Sequence, residues 1–231
     1  MSERFFLPTP PSAGRAVLTG DEARHLTRVL RAAVGDEVTL FDGHGRSWRA
    51  RVAAIGRDRV DLETGEPCVE VRRGAAVTLA VALPKGERQK WLVEKLTELG
   101  VARLVPLETE RGVAEATPAA VARLERGVIE AAKQCGRDTL MAIGAPVSVA
   151  ALVAATPPGV VGLLADPRAE PFDGATWSGT ADVVGLVGPE GGFSPAELAA
   201  ADAAGWRRVC LAAHVLRIET AAVALAARLA R

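Results

Sequence analysis

From residue 75 onward the chain alternates short apolar runs with amphipathic stretches. Residues 77–83, 101–105, 160–165, 183–187 and 209–212 are nearly continuous in apolar side chains, the pattern of strands buried on both faces. Between them, Leu92, Leu96 and Leu99 recur at helical spacing and stop at Gly100. Thr117-Pro118 opens a second helix that turns Val121, Leu124, Val128 and Cys135 inward and ends at Gly136. Buried strands alternating with helices predict a parallel sheet with helices on both faces.

The first part of the chain has a different rhythm. Residues 15–18, 37–41, 46–55 and 59–63 read as strands, separated in part by turns at Asp42-Gly43 and Gly56-Arg57-Asp58. One helix interrupts them. Thr19 is its expected cap, Glu22 completes a capping box, and Leu26, Val29, Leu30 and Ala33 form its buried face before Gly35-Asp36 ends it. These elements predict a small β-barrel domain over 1–73, a linker over 67–74, and an α/β domain over 74–231.

Composition narrows the class. Of the 231 residues, 49% are apolar and 24% charged, as in an ordinary globular protein. No apolar run approaches a membrane span, and no basic start followed by an apolar run suggests a signal peptide, so the expected compartment is the cytoplasm. Cys68, Cys135 and Cys210 are odd in number and lack close spacing, which argues against a disulfide framework. His25, His44 and His214 are too scattered for a metal site. Net charge is zero, so an RNA partner must be argued from local charge. Arg24, Arg28 and Arg31 are spaced to form one cationic helix stripe. Lys85, Arg88, Lys90 and Lys95 add basic character near the first helix of the second domain, where Glu87 and Glu94 are available to pair with them.

The candidate chemistry lies in two strand-to-helix connections. After the run ending at Val187 come Gly188-Pro189-Glu190-Gly191-Gly192-Phe193. Ser194 is then the expected N-cap, with Pro195 at the first helical position and Glu197 closing a capping box. A glycine-rich loop of this kind lets backbone groups approach a ligand closely. It is neither a Walker loop nor a dinucleotide fingerprint; taken alone it reads equally well as a tight turn. The second connection, Ala213-His214-Val215-Leu216-Arg217, enters the last helix, whose Ile218, Ala222, Leu225 and Leu229 share a face. Glu219 in that first turn suits the helix dipole, whereas Arg217 opposes it and is the stronger hint of function.

Together these stretches resemble the small-subunit rRNA uridine-N3 methyltransferases of the SPOUT superfamily (the RsmE type). Leu216-Arg217-Ile218-Glu219-Thr220-Ala221 and the glycine loop carry the likeness. Lys85-Gly86-Glu87-Arg88 with Trp91, 94–100, 132–137, Phe5-Phe6, and His25-Leu26 with Val29-Leu30-Arg31 match as well. Ala212-Ala213-His214 departs from the more common Gly-Pro-Arg, and Ile218 from a common threonine.

The resemblance implies a PUA-like or OB-like N-terminal domain and a C-terminal trefoil knot near Gly188 and Ala212. It implies S-adenosylmethionine as cofactor, held by Val187, Gly188, Pro189, Glu190, Gly191, Gly192, Leu211, Ala212, Val215 and Leu216, above a floor of Leu163 and Leu164. It implies catalysis by Arg217 and Glu219 on N3 of a uridine in 16S rRNA, family position 1498, within the 30S subunit. RNA contacts are then expected from Arg24, His25, Arg28, Arg31, Lys85, Arg88 and Arg137. A homodimer is expected, without metal or membrane; the alanine-rich faces at 196–204 and 221–227 are candidate packing surfaces. Two other readings stay open: a non-catalytic RNA-binding assembly factor, and the same fold acting on tRNA or on a ribose 2′-oxygen.

Overall fold

The computed structural model describes residues 3–71, 74–112, 116–173 and 181–229. The chain divides into two units. The first comprises residues 1–72 together with 132–140, and the second 73–131 and 141–231. Residues 72 and 73 of the expected linker lie outside the described residues.

The first unit is a mostly antiparallel sheet built from β1 (Arg4–Phe6), β2 (Arg15–Thr19), β3 (Glu37–Phe41), β4 (Arg46–Ile55), β5 (Arg59–Thr64) and β6 (Cys68–Val69). The order is β1-β3-β4-β5-β2, with β6 on β4 and β1 parallel to β3. Side chains alternate across it: Ala16, Leu18, Val38, Leu40, Val60 and Leu62 face a core that also holds Phe5, Leu26 and Trp48. Among the described residues no ladder joins β1 to β2, so the hydrogen-bonded path stays open.

Residues 132–140 group with this unit because polar contacts bind them to it. Asp138 pairs with Arg4 and accepts a hydrogen bond from Ser47 (2.8 Å), and the Leu140 N–H donates to the Gly43 carbonyl (2.9 Å). Lys133 Nζ donates to both oxygens of Glu22, at 3.0 and 3.2 Å. That use of Glu22 bears on the expected capping box, which does not form: Thr19 makes no side-chain cap.

The short helix α1 (Gly20–Arg24) passes into a π-helical turn over His25–Val29. A π turn carries an extra residue, so side-chain directions slip relative to a regular helix. Leu26 is buried, but Val29 is 66% exposed. The chain has left the helix by Arg31, which has φ +54°. Arg24, Arg28 and Arg31 therefore do not form one helical stripe. Arg24 pairs with Asp21, while Arg28 and Arg31 are exposed.

The second unit is a parallel sheet of β7 (Val77–Val81), β8 (Arg103–Glu108), β9 (Ala142–Ile143), β10 (Val147–Ser148), β11 (Val161–Ala165), β12 (Val183–Val187) and β13 (Arg207–Val209). The order is β10-β8-β7-β12-β11-β13, with β9 on β8. Among the described residues it is accompanied by α2 (Arg88–Glu98), α3 (Pro118–Cys135, its last residues in the first unit), α4 (Val149–Ala155), α5 (Pro195–Ala203) and α6 (Ile218–Leu229). Gly100 (φ +77°) and Gly136 (φ +82°) stop α2 and α3. Cys135 is exposed rather than inward, because it belongs to the final turn of α3.

Strand β12 follows β11 in sequence but lies between it and β7. Gly185 makes this central seat possible. A Cβ there would lie 2.7 Å from Leu225 Cδ2 of α6 and 2.8 Å from Leu79 Cδ2. Ala222, Leu225, Ala226 and Leu229 bury the inner face of α6, and Ala201 of α5 is fully buried. Ala222 and Ala226 of the second alanine-rich face thus pack inside the unit, whereas Ala196, Ala199, Ala203 and Ala204 of the first are exposed. The last strand ends at Val209, so the apolar residues Cys210, Leu211 and Ala212 leave the sheet; Cys210 is held by Glu170 and Phe172 through backbone hydrogen bonds of 2.9 and 2.8 Å.

Candidate functional site

Three parallel strands, β11, β12 and β13, end at the same edge of the sheet. In open α/β sheets this carboxyl edge is where ligands bind. Here their loops border an open, mostly apolar cleft, the kind of concave site in which small ligands bind.

One wall is the glycine loop. Its exit is fixed by the expected capping box: Glu197 N–H donates to Ser194 Oγ (3.3 Å), and Ser194 N–H to Glu197 Oε2 (2.7 Å). The other Glu197 oxygen accepts the Glu110 N–H (3.0 Å), and Arg111 Nη1 donates to the Gly191 carbonyl (2.7 Å). The connection after β8 therefore braces the loop at two points. Within the loop, Gly192 N–H closes a turn onto the Pro189 carbonyl (2.8 Å), with Gly192 at φ +69°. Such a dihedral favours glycine.

The opposite wall is the segment from Leu211 to Leu216. Cys210 Sγ donates to the Ala212 carbonyl (3.1 Å), and Arg228 Nη2, from the far end of α6, donates to the Leu211 carbonyl (2.8 Å). Nine of the expected cofactor residues line the cleft: Val187, Gly188, Pro189, Glu190, Gly192, Leu211, Ala212, Val215 and Leu216. Gly191 does not line it. Leu163 and Leu164 are almost completely buried in the sheet beneath, and the wall from β11 is instead Ala165, Asp166 and Pro167. Sequence periodicity marks where a strand is buried, and the ligand edge begins one residue past it. The Asp166-Pro167 turn was the available signal.

Asp166 is the charged group on that wall. Burial pushes its carboxyl up, but hydrogen bonds from Arg168 and the charges of Arg168 and Arg208 outweigh this and hold it below the usual aspartate range. Its Oδ1 accepts the Arg168 N–H (3.0 Å) and Nε (3.1 Å). Phe193, His214, Ile218 and Ala221 complete the lining.

Arg217 and Glu219 flank the mouth of α6 and do not line the cleft. Arg217 is exposed, and its carbonyl accepts the first helical N–H, from Ala221 (2.8 Å). Glu219 is 7% exposed, and its Oε2 has no hydrogen-bond partner. The nearest recorded cation is Arg88, whose Nη1 lies 3.8 Å from Glu219 Oε2 and 3.5 Å from Glu190 Oε1. Lys85 is exposed on the connection leading to α2. Arg24, His25, Arg28, Arg31 and Arg137 belong to the first unit. The His25 ring stands 6.1 Å from that of Phe5, a core residue. Among the described residues no group of acidic, histidine or cysteine side chains could hold a metal ion.

The sheet, the bare loop and the cleft define an RNA methyltransferase domain, the description of the family model that matches residues 72–230. A second model, an RNA methyltransferase PUA domain, matches residues 18–64. A ribosomal RNA small subunit methyltransferase E of Synechocystis is 36% identical over 90% of this chain and 71% of its own length. The Mycobacterium bovis protein of the same name is 34% identical over 96% and 89%. The crystal structure of the Neisseria gonorrhoeae enzyme bound to S-adenosyl methionine superposes with a TM-score of 0.90, at 30% identity, over 98% of this chain and 96% of that one. The chain belongs to the ribosomal RNA small subunit methyltransferase E family.

Proposed function

We propose that this protein transfers the methyl group of S-adenosylmethionine to N3 of a uridine in 16S rRNA, at the family's position 1498. The observation that carries the reading is the cleft itself, in a chain whose solved relative holds that cofactor in the same fold. Its chemistry fits the group. Val187, Leu211, Leu216 and Ile218 offer apolar walls for a flat base, the side-chain-free Gly188 and Gly192 admit close approach, and Glu190 supplies a carboxylate for a cationic ligand. Asp166 is less available, being committed to Arg168.

When bound, the cofactor supplies an electrophilic methyl group; the chain's residues prepare the acceptor. Uridine N3 carries a proton at neutral pH, and removing it spreads negative charge onto the two flanking carbonyl oxygens. Arg217, at the neck of α6, offers two parallel donors to that charge. Glu219, two residues on, orients the guanidinium or accepts the N3 proton. The N3 proton leaves by that carboxylate or to water, and the N3–CH3 bond would form as the cofactor's S–CH3 bond breaks, leaving S-adenosylhomocysteine.

The same reading gives the N-terminal domain, residues 1–73, to RNA binding through Arg24, His25, Arg28 and Arg31, and the methyltransferase domain to residues 74–231. Lys85 and Arg137 extend the RNA surface. It places a trefoil knot where α6 passes the loops at Gly188 and Ala212, a homodimer as the working unit, the 30S subunit as target, and the cytoplasm as compartment. No helix among the described residues is long and apolar enough to cross a membrane. The test is mass spectrometry of 16S rRNA from cells with and without the gene. One monomethyl uridine should disappear and return on complementation; unchanged rRNA would refute the reading.

A further inference from the structure

Arg88 occupies a position that helix formation does not explain. It is the first residue of α2, where the helix dipole disfavours a cation, and no acidic residue stands in that first turn. Its guanidinium instead meets two carboxylates from two other elements. Glu190, 3.5 Å away, belongs to the glycine loop and lines the cleft; Glu219, 3.8 Å away, belongs to the first turn of α6. The pairings differ in kind. Glu190 is half exposed, whereas Glu219 is buried with one oxygen lacking any hydrogen-bond partner. A buried carboxylate without a cation is costly, and Arg88 is the cation within ion-pairing reach.

The support for this geometry is stiff. Ala82 and Leu83, leading from β7 towards α2, are buried, and the Ala82 N–H donates to the Val187 carbonyl of β12 (2.9 Å). Helix α2 packs on α6. The next residue, Gln89, is buried, donating to the Pro84 carbonyl (2.8 Å) and accepting from Arg123 (3.1 Å).

We propose that Arg88 is a positioning residue that ties the cofactor loop to the catalytic helix, by sharing its guanidinium between Glu190 and Glu219. This deepens the methyltransferase reading and rests on it. It also moves Arg88 out of the RNA-contact set. Arg88 keeps the Glu219 carboxylate in place in the first turn of α6, and holds Glu190 on the rim of the cleft. A ligand that engages Glu190 draws one carboxylate from Arg88 and leaves the guanidinium to Glu219.

The experiment compares wild type, Arg88→Ala, Arg88→Lys, Glu190→Gln and the double variants Arg88→Ala/Glu190→Gln and Arg88→Ala/Glu219→Gln. Three quantities are measured: S-adenosylmethionine affinity by calorimetry, single-turnover methylation against RNA concentration, and urea stability. Arg88→Ala should lower the maximal methylation rate at least tenfold while half-saturating RNA and its salt dependence stay unchanged. Arg88→Lys should recover stability but only part of the rate, because an ammonium is a compact, strongly hydrated point charge on a flexible stem and holds the two carboxylates less rigidly than the planar guanidinium.

The effects of Arg88→Ala and Glu190→Gln on cofactor affinity should be non-additive. Arg88→Ala should lower the urea midpoint, because it leaves the buried Glu219 carboxylate without its cation, and Glu219→Gln should restore most of that loss. A shift in half-saturating RNA and salt dependence at unchanged maximal rate would make Arg88 an RNA contact and overturn the proposal. Additive affinities, with no stability loss in Arg88→Ala that Glu219→Gln restores, would overturn it equally. If wild type methylates no RNA, the enzymatic reading fails, and the affinity and stability arms still decide whether Arg88 joins Glu190 to Glu219.

Discussion

Replacing Gly192 with valine should damage the cleft through the backbone and not through collision. Gly192 sits at φ +69°, and a Cβ added there would meet nothing within 4 Å. An L-residue in this left-handed region costs about 1–2 kcal/mol, and a β-branched one stands at the upper end or beyond. The loop can escape the strain only by giving up the turn that joins Gly192 N–H to the Pro189 carbonyl. Since both residues line the cleft, escape removes the binding-competent loop. One to two kcal/mol corresponds to about five- to thirtyfold in apparent affinity, and more if valine never enters the region.

Two further variants separate the causes. Gly192→Asn should lose little, because asparagine tolerates this dihedral. Gly185→Ala should behave in the opposite way. Its Cβ would be driven to 2.7 Å from Leu225, so overpacking should lower stability by about 1–3 kcal/mol with little effect on affinity once folded. The assay is calorimetry with S-adenosylmethionine beside urea unfolding of each protein. A folded Gly192→Val protein with wild-type affinity would refute the argument. So would Gly192→Asn failing as badly as valine, since bulk rather than dihedral would then be at fault.

Arg217→Ala should lower the single-turnover methylation rate by about a hundredfold or more, the order expected for one lost donor to a developing anion; Arg217→Lys should rescue poorly, and a wild-type rate in Arg217→Ala would remove the arginine from the mechanism. The basic residues of the first unit should act unequally on RNA: Arg28→Ala/Arg31→Ala should lower the salt slope by about 0.7–0.9 per lost phosphate contact, whereas Arg24→Ala, already paired with Asp21, should change it less. A uniform effect of all three in filter-binding titrations would contradict this. Asp166, held below the usual range chiefly by Arg168 against its burial, stabilises the fold above the ordinary aspartate pKa of about 3.9 and loses that contribution as pH falls through its lower folded value. Urea midpoints between pH 2 and 7 should therefore drop more steeply at the acid end for wild type than for Asp166→Asn; parallel curves would refute it.

The site was legible in proportion to how local its physics is. The capping box at Ser194 and Glu197 involves neighbours three residues apart, so the sequence announces it and the structure forms it. The box expected at Thr19 has the same residue types, yet Glu22 binds Lys133, far along the chain, and the cap is absent. The arginine stripe failed for a related reason. Its spacing assumes a regular helix, and the π turn over His25–Val29 changes the register between Arg24 and Arg28. Leu163 and Leu164 were placed one or two residues too early because an apolar run locates a strand's buried part and not its exposed end.

By itself the sequence determined the alternation of buried strands and helices, the bare loop after Val187 and the entry into the last helix. Those features follow from periodicity, glycine dihedrals and capping, which act over a few residues. Only the tertiary structure decided that β12 lies between β7 and β11, that residues 132–140 join the first unit, and that Arg88 stands between Glu190 and Glu219. Apart from the β11–β12 pairing, 22 positions apart, these are contacts between residues from about 90 to more than 130 positions apart. They depend on which surfaces can be buried together and which charges must then be neutralised, and no spacing within one segment encodes that choice.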